Sequence, residues 1–210
     1  MTPGLDVVLI LRDLSDLPLL DRSLFTVFAQ ELDVPLHVQL MLPRFSVEDL
    51  RLARHMTDRL RHLSPAATLY LHNWTAPGPL DLTVPLLNWS VEVAGGRYLA
   101  LLQVGDLISA GGLQTLLDRL HGDEAALVEA SLAHQTVDWW GDTVLPLAPA
   151  TATGEARCFM VDRSFIQLRD LVFTSDRGEE NEAFLSSISE RYRTTRLPRD
   201  VPLGLRQVPQ

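Results

Sequence analysis

The feature that most constrains the fold is an apolar run near the N-terminus, followed by a helical pattern and a second apolar run. The first run, LDVVLIL at residues 5–11, is rich in β-branched side chains, as expected for a central parallel strand buried on both faces. The next segment, LPLLDRSLFTVFAQEL, has helical spacing with Pro18 near its first turn. A strand, a helix and a strand in this order predict a parallel sheet with a right-handed crossover.

The alternation continues along the chain. A second strand, PLHVQLML, precedes the helix SVEDLRLARHMTDRLRHL, in which Ser46 stands at the N-cap position three residues ahead of Asp49. A third strand, ATLYLHN, is followed by the helix LTVPLLNWSVEVAG, the strand RYLALLQ, the helix AGGLQTLLDRLHG and the strand candidate EAALVEASL. We therefore predict a mostly parallel α/β sheet, with the strand 97–103 at its centre and the loop 103–106 at its C-terminal edge.

The pattern weakens in residues 137–156, which contain Pro, Gly, Thr and Trp and are predicted to be a long irregular excursion. After this excursion the sequence predicts the strand ARCFMV, a short helix near DRSFIQLRDL, a helix in GEENEAFLSSISERY and a last strand, RTTRLP. No linker or low-complexity segment divides the chain, so residues 1–210 are predicted to form one domain.

Composition excludes several classes of protein. A net charge of −9 disfavours a nucleic-acid partner, because neutralising phosphates requires clustered basic side chains. The apolar runs are shorter than the roughly 20 residues of a membrane-spanning helix, and the N-terminus lacks a leader pattern, so we expect a cytoplasmic protein without a membrane span. Cys158 is the only cysteine, which excludes an intramolecular disulfide and a cysteine-rich zinc site and indicates a buried structural thiol.

Four segments resemble the family 2 nucleotide-sugar glycosyltransferases. GGRYLALLQVGDLISAGGLQTLLDRL resembles the family's segment in which a Gly-x-Tyr strand runs into an Asp-x-Asp loop and a helix. GEENEAFLSSISERYRTTRLP resembles its Gly-Glu-Asp helix and the strand that follows. VVLILRDLSDLPLLDRSLFTVFAQELDVPLHVQLML is similar to its opening β-α-β unit, with Gln30 at the end of the first helix, and LLNWSVEVAGG places Asn88 at the Asn of its Ala-Arg-Asn helix. The segments occur in the family's order and cover most of the chain.

The resemblance implies a GT-A fold, in which a nucleotide sugar lies across the C-terminal strand ends, and it identifies the loop QVGD with the metal-binding loop. In the family two carboxylates of this loop hold a divalent ion that neutralises the diphosphate. Here Gln103 and Gly105 replace them, and only the following acid, Asp106, remains. We therefore expect no cofactor, and we expect Asp106 to bind Mg²⁺ or Mn²⁺ only weakly. Restoring the acids with Gln103→Asp and Gly105→Asp should raise metal affinity if the loop keeps its shape.

The resemblance also assigns the remaining candidate residues. Acids that hold the base and ribose are expected after the second strand, where the chain has Leu42, Pro43 and Arg44 instead. Glu179 and Glu180 match the family's Glu-Asp pair, whose second acid is the general base that deprotonates the acceptor. The donor-binding candidates are Gln103, Asp106 and Asn88, and the acceptor-binding candidates are Trp139 and Trp140.

Each of these assignments has a structural alternative. Asp106 is either a metal ligand or the N-cap of a helix that starts at Leu107. The acids Glu179 and Glu180 are either catalytic or favourable charges in the first turn of a helix. The pair Trp139 and Trp140 either stacks on an acceptor sugar or forms a hydrophobic plug beneath a loop.

Two functions remain open at this stage. The first is a glycosyltransferase that moves a sugar from a nucleotide donor to an acceptor hydroxyl, with Glu180 as base and Asp106 as the remaining donor-side acid. The second is a non-catalytic binding or assembly module, whose partner would be an active glycosyltransferase. The missing acids favour the second slightly, since no Lys or clustered His replaces them.

Overall fold

A nine-stranded sheet forms the centre of the molecule. The computed structural model describes residues 2–60, 62–64, 66–77, 81–137, 156–166, 168–174, 180–198 and 201–209. In chain order the strands are β1 (Thr2–Ile10), β2 (Leu36–Pro43), β3 (Thr68–Trp74), β4 (Gly96–Leu101), β5 (Asp106–Ile108), β6 (Leu127–Val137), β7 (Ala156–Asp162), β8 (Thr194–Arg196) and β9 (Gly204–Pro209). Their spatial order is β3-β2-β1-β4-β7-β6-β9-β5, and β8 pairs with β6 outside this path.

The pairing confirms the predicted sheet. Strand β4 lies between β1 and β7, so the segment that the sequence places at the centre is central. Strands β1, β2, β3 and β4 are parallel to one another, and β8 and β9 are both parallel to β6. Strand β7 runs antiparallel to both β4 and β6, and β5 runs antiparallel to β9. The loop 103–106 follows β4 directly and therefore lies at the carboxyl edge of the parallel strands.

In the part of the chain that the structure describes, five α-helices cover the two faces of the sheet. They are α1 (Leu17–Phe28), α2 (Val47–Leu60), α3 (Thr83–Val93), α4 (Gly112–Asp123) and α5 (Glu180–Ser189). Buried residues of α1, α2 and α4 belong to one apolar cluster, and those of α3 and α5 belong to another on the opposite side. Within the described ranges, no helix is long and apolar enough to cross a membrane.

Several local predictions are confirmed at atomic level. The Ser46 hydroxyl accepts the Asp49 N–H at 3.2 Å, and the Asp49 carboxylate accepts the Ser46 N–H at 3.0 Å, so the two residues form a reciprocal cap on α2. Pro18 lies in the first turn of α1. Cys158 is fully buried, and this burial raises the pKa of its thiol far above the usual range, consistent with a structural role.

Three sequence predictions near the C-terminal half need correction. RTTRLP is not the last strand, because β9 follows it and pairs with both β6 and β5. The segment after Gly105 does not enter a helix at Leu107; it forms β5, and α4 begins at Gly112. Near DRSFIQLRDL the helix is a single 3-10 turn, Leu168–Asp170. Sequence periodicity misses β5 because its three residues are too few to show a period.

Because Arg97 and Asp162 form an ion pair, we expect the stability of the fold to depend on pH. Burial alone would raise the pKa of Asp162, but hydrogen bonds from Arg97 and Ser164 outweigh it and lower the pKa below the usual range. A lowered folded-state pKa stabilises the fold above the unfolded-state pKa of about 3.9, and this contribution disappears as the pH falls through the folded-state value.

We therefore expect Asp162→Asn to lower the free energy of unfolding by about 2 kcal/mol at neutral pH, since hydrogen bonds to a charged group are lost. The difference from wild type should shrink as the pH falls below about 4. Urea unfolding at several pH values measures it. A difference that stays constant down to the lowest pH at which both proteins fold would show that the Asp162 carboxylate has no such role.

Candidate functional site at the carboxyl edge

The crevice between β1 and β4 is where this topology places a ligand. The chain leaves β1 for α1 on one face of the sheet, whereas α3 covers the opposite face before the chain enters β4. Val8 lies opposite Leu101, so the residues after β1 and the loop after β4 emerge side by side at the carboxyl edge. In open α/β sheets, ligands bind outside the carboxyl ends of the strands at such a reversal of direction.

The loop after β4 is a tight turn that Asp106 closes twice. The Asp106 N–H donates to the Gln103 carbonyl at 3.0 Å, and the Gln103 N–H donates to Oδ2 of Asp106 at 2.8 Å. The turn leaves Gln103 exposed and buries Asp106 completely. Of the two, therefore, only Gln103 has a side chain that is accessible from solvent.

A buried ion pair occupies the carboxylate of Asp106. Arg206, from β9, donates from Nε to Oδ1 at 2.5 Å and from Nη2 to Oδ2 at 2.8 Å. Nη2 also donates to the Arg157 carbonyl at 3.1 Å, and the Arg206 side chain is 14% exposed. Both oxygens of Asp106 are therefore engaged, and the guanidinium supplies the positive charge that faces this acid.

The predicted helix N-cap role of Asp106 is wrong, because Asp106 belongs to β5 and α4 starts six residues later with Gly111 as its N-cap. The sequence analysis also misses Arg206. The partners are 100 residues apart, and β9 is a six-residue segment that ends in proline, so no local pattern joins them. The only signals of this pair in the sequence are the isolated acid Asp106 and, much later in the chain, Arg206 in the alternating segment GLRQVP.

Strand β9 also fixes the shape of the loop. The Gln207 N–H donates to the Gly105 carbonyl at 2.8 Å, and the Gly105 N–H donates to Oγ of the buried Ser23 at 2.9 Å. Gly105 has φ +100°, and a Cβ atom there would lie 2.5 Å from the Gln207 carbonyl oxygen. This position therefore requires glycine and has no room for an acid.

The loop does not fit a divalent ion. Mg²⁺ and Mn²⁺ prefer several oxygen ligands, usually including carboxylates, but here Asp106 is saturated by Arg206 and position 105 cannot carry a side chain. Among the residues that the structure describes, no three His, Cys, Asp or Glu side chains lie together in a way that would hold a metal.

Asn88 holds a neighbouring segment in place. Its Nδ2 donates to the Phe173 carbonyl at 3.0 Å, and its Oδ1 accepts the Phe173 N–H at 2.8 Å. Phe173 stacks on Phe184 of α5 with ring centroids 4.2 Å apart. The amide of Asn88 therefore orients the chain that leads to α5, and both of its polar atoms are used in doing so.

The start of α5 lies near the same edge. Phe184 stacks on Phe159 at 5.4 Å, and Phe159 lies opposite Leu101, the last residue of β4. Glu180 is the first residue of the helix, about one turn before Phe184. The predicted residues Glu179, Trp139 and Trp140 lie outside the described residues, as does the side chain of Glu180.

A cleft of about 130 Å³ opens at the carboxyl ends of β1 and β2. It is lined by Ile10, Arg12, Pro43, Asp81, Leu82, Thr83 and Leu86. The Thr83 N–H donates to Asp81 at 2.8 Å, and bonding to Thr83 lowers the pKa of Asp81 below its usual range, with a smaller contribution from Arg12. The cleft thus combines apolar walls with an arginine and an ionised aspartate.

No protein-family model matches the chain, and no curated protein matches it in sequence. Solved structures do. A crystal structure of S. aureus TarS 1–349 superimposes with a TM-score of 0.65 at 10% identity, covering 97% of this chain and 60% of the TarS 1–349 chain. The mannosyltransferase PcManGT from Pyrobaculum calidifontis, in complex with GDP-Man and Mn²⁺, gives 0.63 at 16% identity, covering 94% of this chain and 55% of that protein.

A complex of TarS 1–349 with UDP-GlcNAc gives a TM-score of 0.58 at 12% identity, and the match covers all of this chain and 59% of the TarS 1–349 chain. The chain thus spans little more than half the length of these structures. The match along nearly all of the chain confirms the fold that the sequence resemblance implies: the protein has a GT-A-like glycosyltransferase fold.

Proposed function

We propose that this domain binds a nucleotide sugar at the carboxyl edge of its sheet and transfers the sugar to an acceptor hydroxyl. The observation that carries the proposal is the cleft beside the β1–β4 crevice, in a fold whose solved neighbours hold GDP-Man or UDP-GlcNAc. The tight turn 103–106 follows the end of β4 at the same edge of the sheet, where a bound donor would contact it.

Glu180 is the proposed general base. A carboxylate at the start of α5 would take the proton of the acceptor hydroxyl while the hydroxyl oxygen attacks the anomeric carbon and the nucleoside diphosphate leaves. Glu179 precedes it in the family's acid pair. The stacking of Phe184 on Phe159 supports this role, since it holds α5 against the residue of β7 that pairs with Leu101, the last residue of β4.

The other predicted residues have direct or indirect roles in this proposal. Gln103 would contact the donor, because it is the exposed end of the turn. Asp106 and Asn88 would act by positioning, the first through the turn that it closes and the second through the chain before α5. Trp139 and Trp140 remain the proposed acceptor contacts, where their rings would stack on a sugar.

A second candidate is a non-catalytic module that assembles with an active glycosyltransferase. The observation that favours it is that Arg206 donates to both carboxylate oxygens of Asp106. The one acid that remains in this loop therefore stabilises the interior of the fold. In this case nucleotide sugars would bind without turnover or would not bind.

Glu180→Gln separates the two candidates. If Glu180 is the base, release of nucleoside diphosphate from UDP- or GDP-sugars should fall by a factor of about a hundred or more, with little change in stability. If Glu180 serves only the helix dipole, the substitution should cost about 1 kcal/mol of stability at most and leave ligand binding unchanged.

Glu190→Gln is the matched control, because Glu190 is an exposed acid just beyond the other end of α5. Turnover and thermal unfolding are measured on the same preparations. Equal turnover in wild type, Glu180→Gln and Glu190→Gln would rule out Glu180 as the base. Binding of nucleotide sugars by wild type without any release of nucleotide would favour the non-catalytic module.

A further inference from the structure

An exposed acid lines the cleft at the carboxyl ends of β1 and β2. Asp81 lies just before α3, and its Oδ1 accepts the Thr83 N–H at 2.8 Å. This bonding lowers the pKa of Asp81, so its carboxylate is ionised at neutral pH. A carboxylate has about four acceptor positions. Among the described residues, no guanidinium lies within ion-pair distance of Asp81. Unlike Asp106, therefore, Asp81 keeps acceptor positions for a ligand.

The turn after β2, on the other side of the cleft, supplies no acid. Its backbone is bonded to β3, because the Arg44 N–H donates to the Trp74 carbonyl at 3.0 Å. Oδ1 of Asn73, on β3, accepts the Phe45 N–H at 2.8 Å, which fixes the turn further. Among the described residues that line the cleft, Asp81 is thus the one that carries a carboxylate.

The size and polarity of the cleft decide which part of a nucleotide it can hold. Its volume is about 130 Å³. A cavity of about 150 Å³ holds one benzene molecule, so this cleft has room for about one six-membered ring. Apolar side chains make up most of its lining: Ile10, Pro43, Leu82 and Leu86. A diphosphate would meet these apolar walls and the like charge of Asp81. We therefore expect the base to occupy the cleft.

We propose that Asp81 binds the base of the nucleotide and selects guanine. This inference rests on the proposed nucleotide-binding function and names the base of its donor. Guanine presents two adjacent donors, N1–H and the N2 amino group, which a carboxylate can accept together. Uracil presents one N–H between two carbonyl oxygens, and adenine and cytosine present a ring nitrogen beside an amino group. With these three bases one carboxylate oxygen would face an acceptor, which costs binding energy because no hydrogen bond forms there.

Asp81 also accepts a hydrogen bond from the first residue of α3, and the test separates this role from recognition of the base. Asp81→Asn keeps an oxygen for the Thr83 N–H but replaces the other oxygen with an amide donor. Xanthine has a carbonyl in place of the amino group of guanine, so its edge complements asparagine. Asp13→Asn is the matched control, because Oδ1 of Asp13 accepts the Ser15 N–H at 2.8 Å with the same spacing, and Asp13 lies outside the residues that line the cleft.

Calorimetry measures the binding of GDP, UDP, ADP, CDP and xanthosine diphosphate by wild type and both variants. Wild type should bind GDP at least about ten-fold more tightly than the other four, the scale of one hydrogen bond to a charged group. Asp81→Asn should bind GDP about ten- to a hundred-fold more weakly than wild type and bind xanthosine diphosphate more tightly. Asp13→Asn should bind all five as wild type does.

The possible failures of this inference and of the proposed function are distinguishable. Equal affinity of wild type for all five diphosphates, a preference for another base, or unchanged GDP affinity in Asp81→Asn would overturn the role of Asp81 and leave nucleotide binding intact. An equal loss for all five in Asp81→Asn would show that Asp81 serves only the start of α3, and would overturn its role in selecting the base. Absence of binding by wild type would refute the proposed function itself, and this inference with it.

Discussion

Arg206→Ala should lower the free energy of unfolding by about 3–5 kcal/mol, the range found when one partner of a buried ion pair is removed. The substitution leaves the carboxylate of Asp106 without its guanidinium, and Asp106 has no access to solvent. It also removes the hydrogen bond from Arg206 to the Arg157 carbonyl. Urea unfolding measures the change.

The double variant Asp106→Asn with Arg206→Met shows whether the loss of stability comes from the unpaired charge of the Asp106 carboxylate. Asparagine keeps an acceptor for the Gln103 N–H, and methionine fills part of the arginine's volume, so the double variant should be more stable than Arg206→Ala. Arg191→Ala is the matched control, since the Arg191 side chain, which pairs with Asp170, is 61% exposed and its ion pair should be worth less than about 1 kcal/mol. A loss for Arg206→Ala no larger than that of Arg191→Ala would show that the buried pair does not hold β9 against the loop.

Gly105→Asp should destabilise the fold by about 3 kcal/mol or more, because backbone strain at φ +100° adds to the clash of a Cβ atom with the Gln207 carbonyl. Gln103→Asp changes an exposed position in the same turn and should alter stability by less than about 0.5 kcal/mol. The sequence alone predicts that both substitutions together raise metal affinity if the loop keeps its shape. That condition fails at position 105.

We therefore expect the doubly substituted protein to unfold more easily and to bind Mn²⁺ no more tightly than Gln103→Asp alone. Calorimetric titration with Mn²⁺ and urea unfolding of the two single variants and the double variant provide the comparison. Gly105→Ala is a smaller change at the same position and should be destabilised for the same two reasons. Wild-type stability in Gly105→Asp, together with new Mn²⁺ affinity, would show that the loop can adopt the shape of a metal site.

The core of the fold is predictable from local patterns, and the interior of the candidate site is not. The run 5–11 and the strand 97–103 are correctly identified because a parallel strand buried on both faces is continuously apolar. The cap between Ser46 and Asp49 is predictable because both partners lie within one turn of helix. These features depend on residues that are close together in the chain.

The role of Asp106 depends on tertiary contacts that no local pattern contains. A polar residue that precedes Leu and Ile and is soon followed by a helix has the same sequence whether it caps that helix or starts a short strand. Contacts from Arg206 and Gln207 decide between the helix cap and the short strand. Both residues belong to β9, which is far from the loop in sequence. The same holds for Asn88 and Phe173, and for Asn73 and the turn at Arg44.

The central claim, that a nucleotide binds at the carboxyl edge of this sheet, is tested most directly by mapping amide chemical shifts during titration with UDP and GDP. The account predicts shifts confined to the ends of β1 and β2, the start of α3 and the turn 103–106, including the amides of Arg12, Arg44 and Gly105. Shifts that cluster instead at the amino edge, around Gly95 and Gly96, or no shifts with either nucleotide, would contradict it.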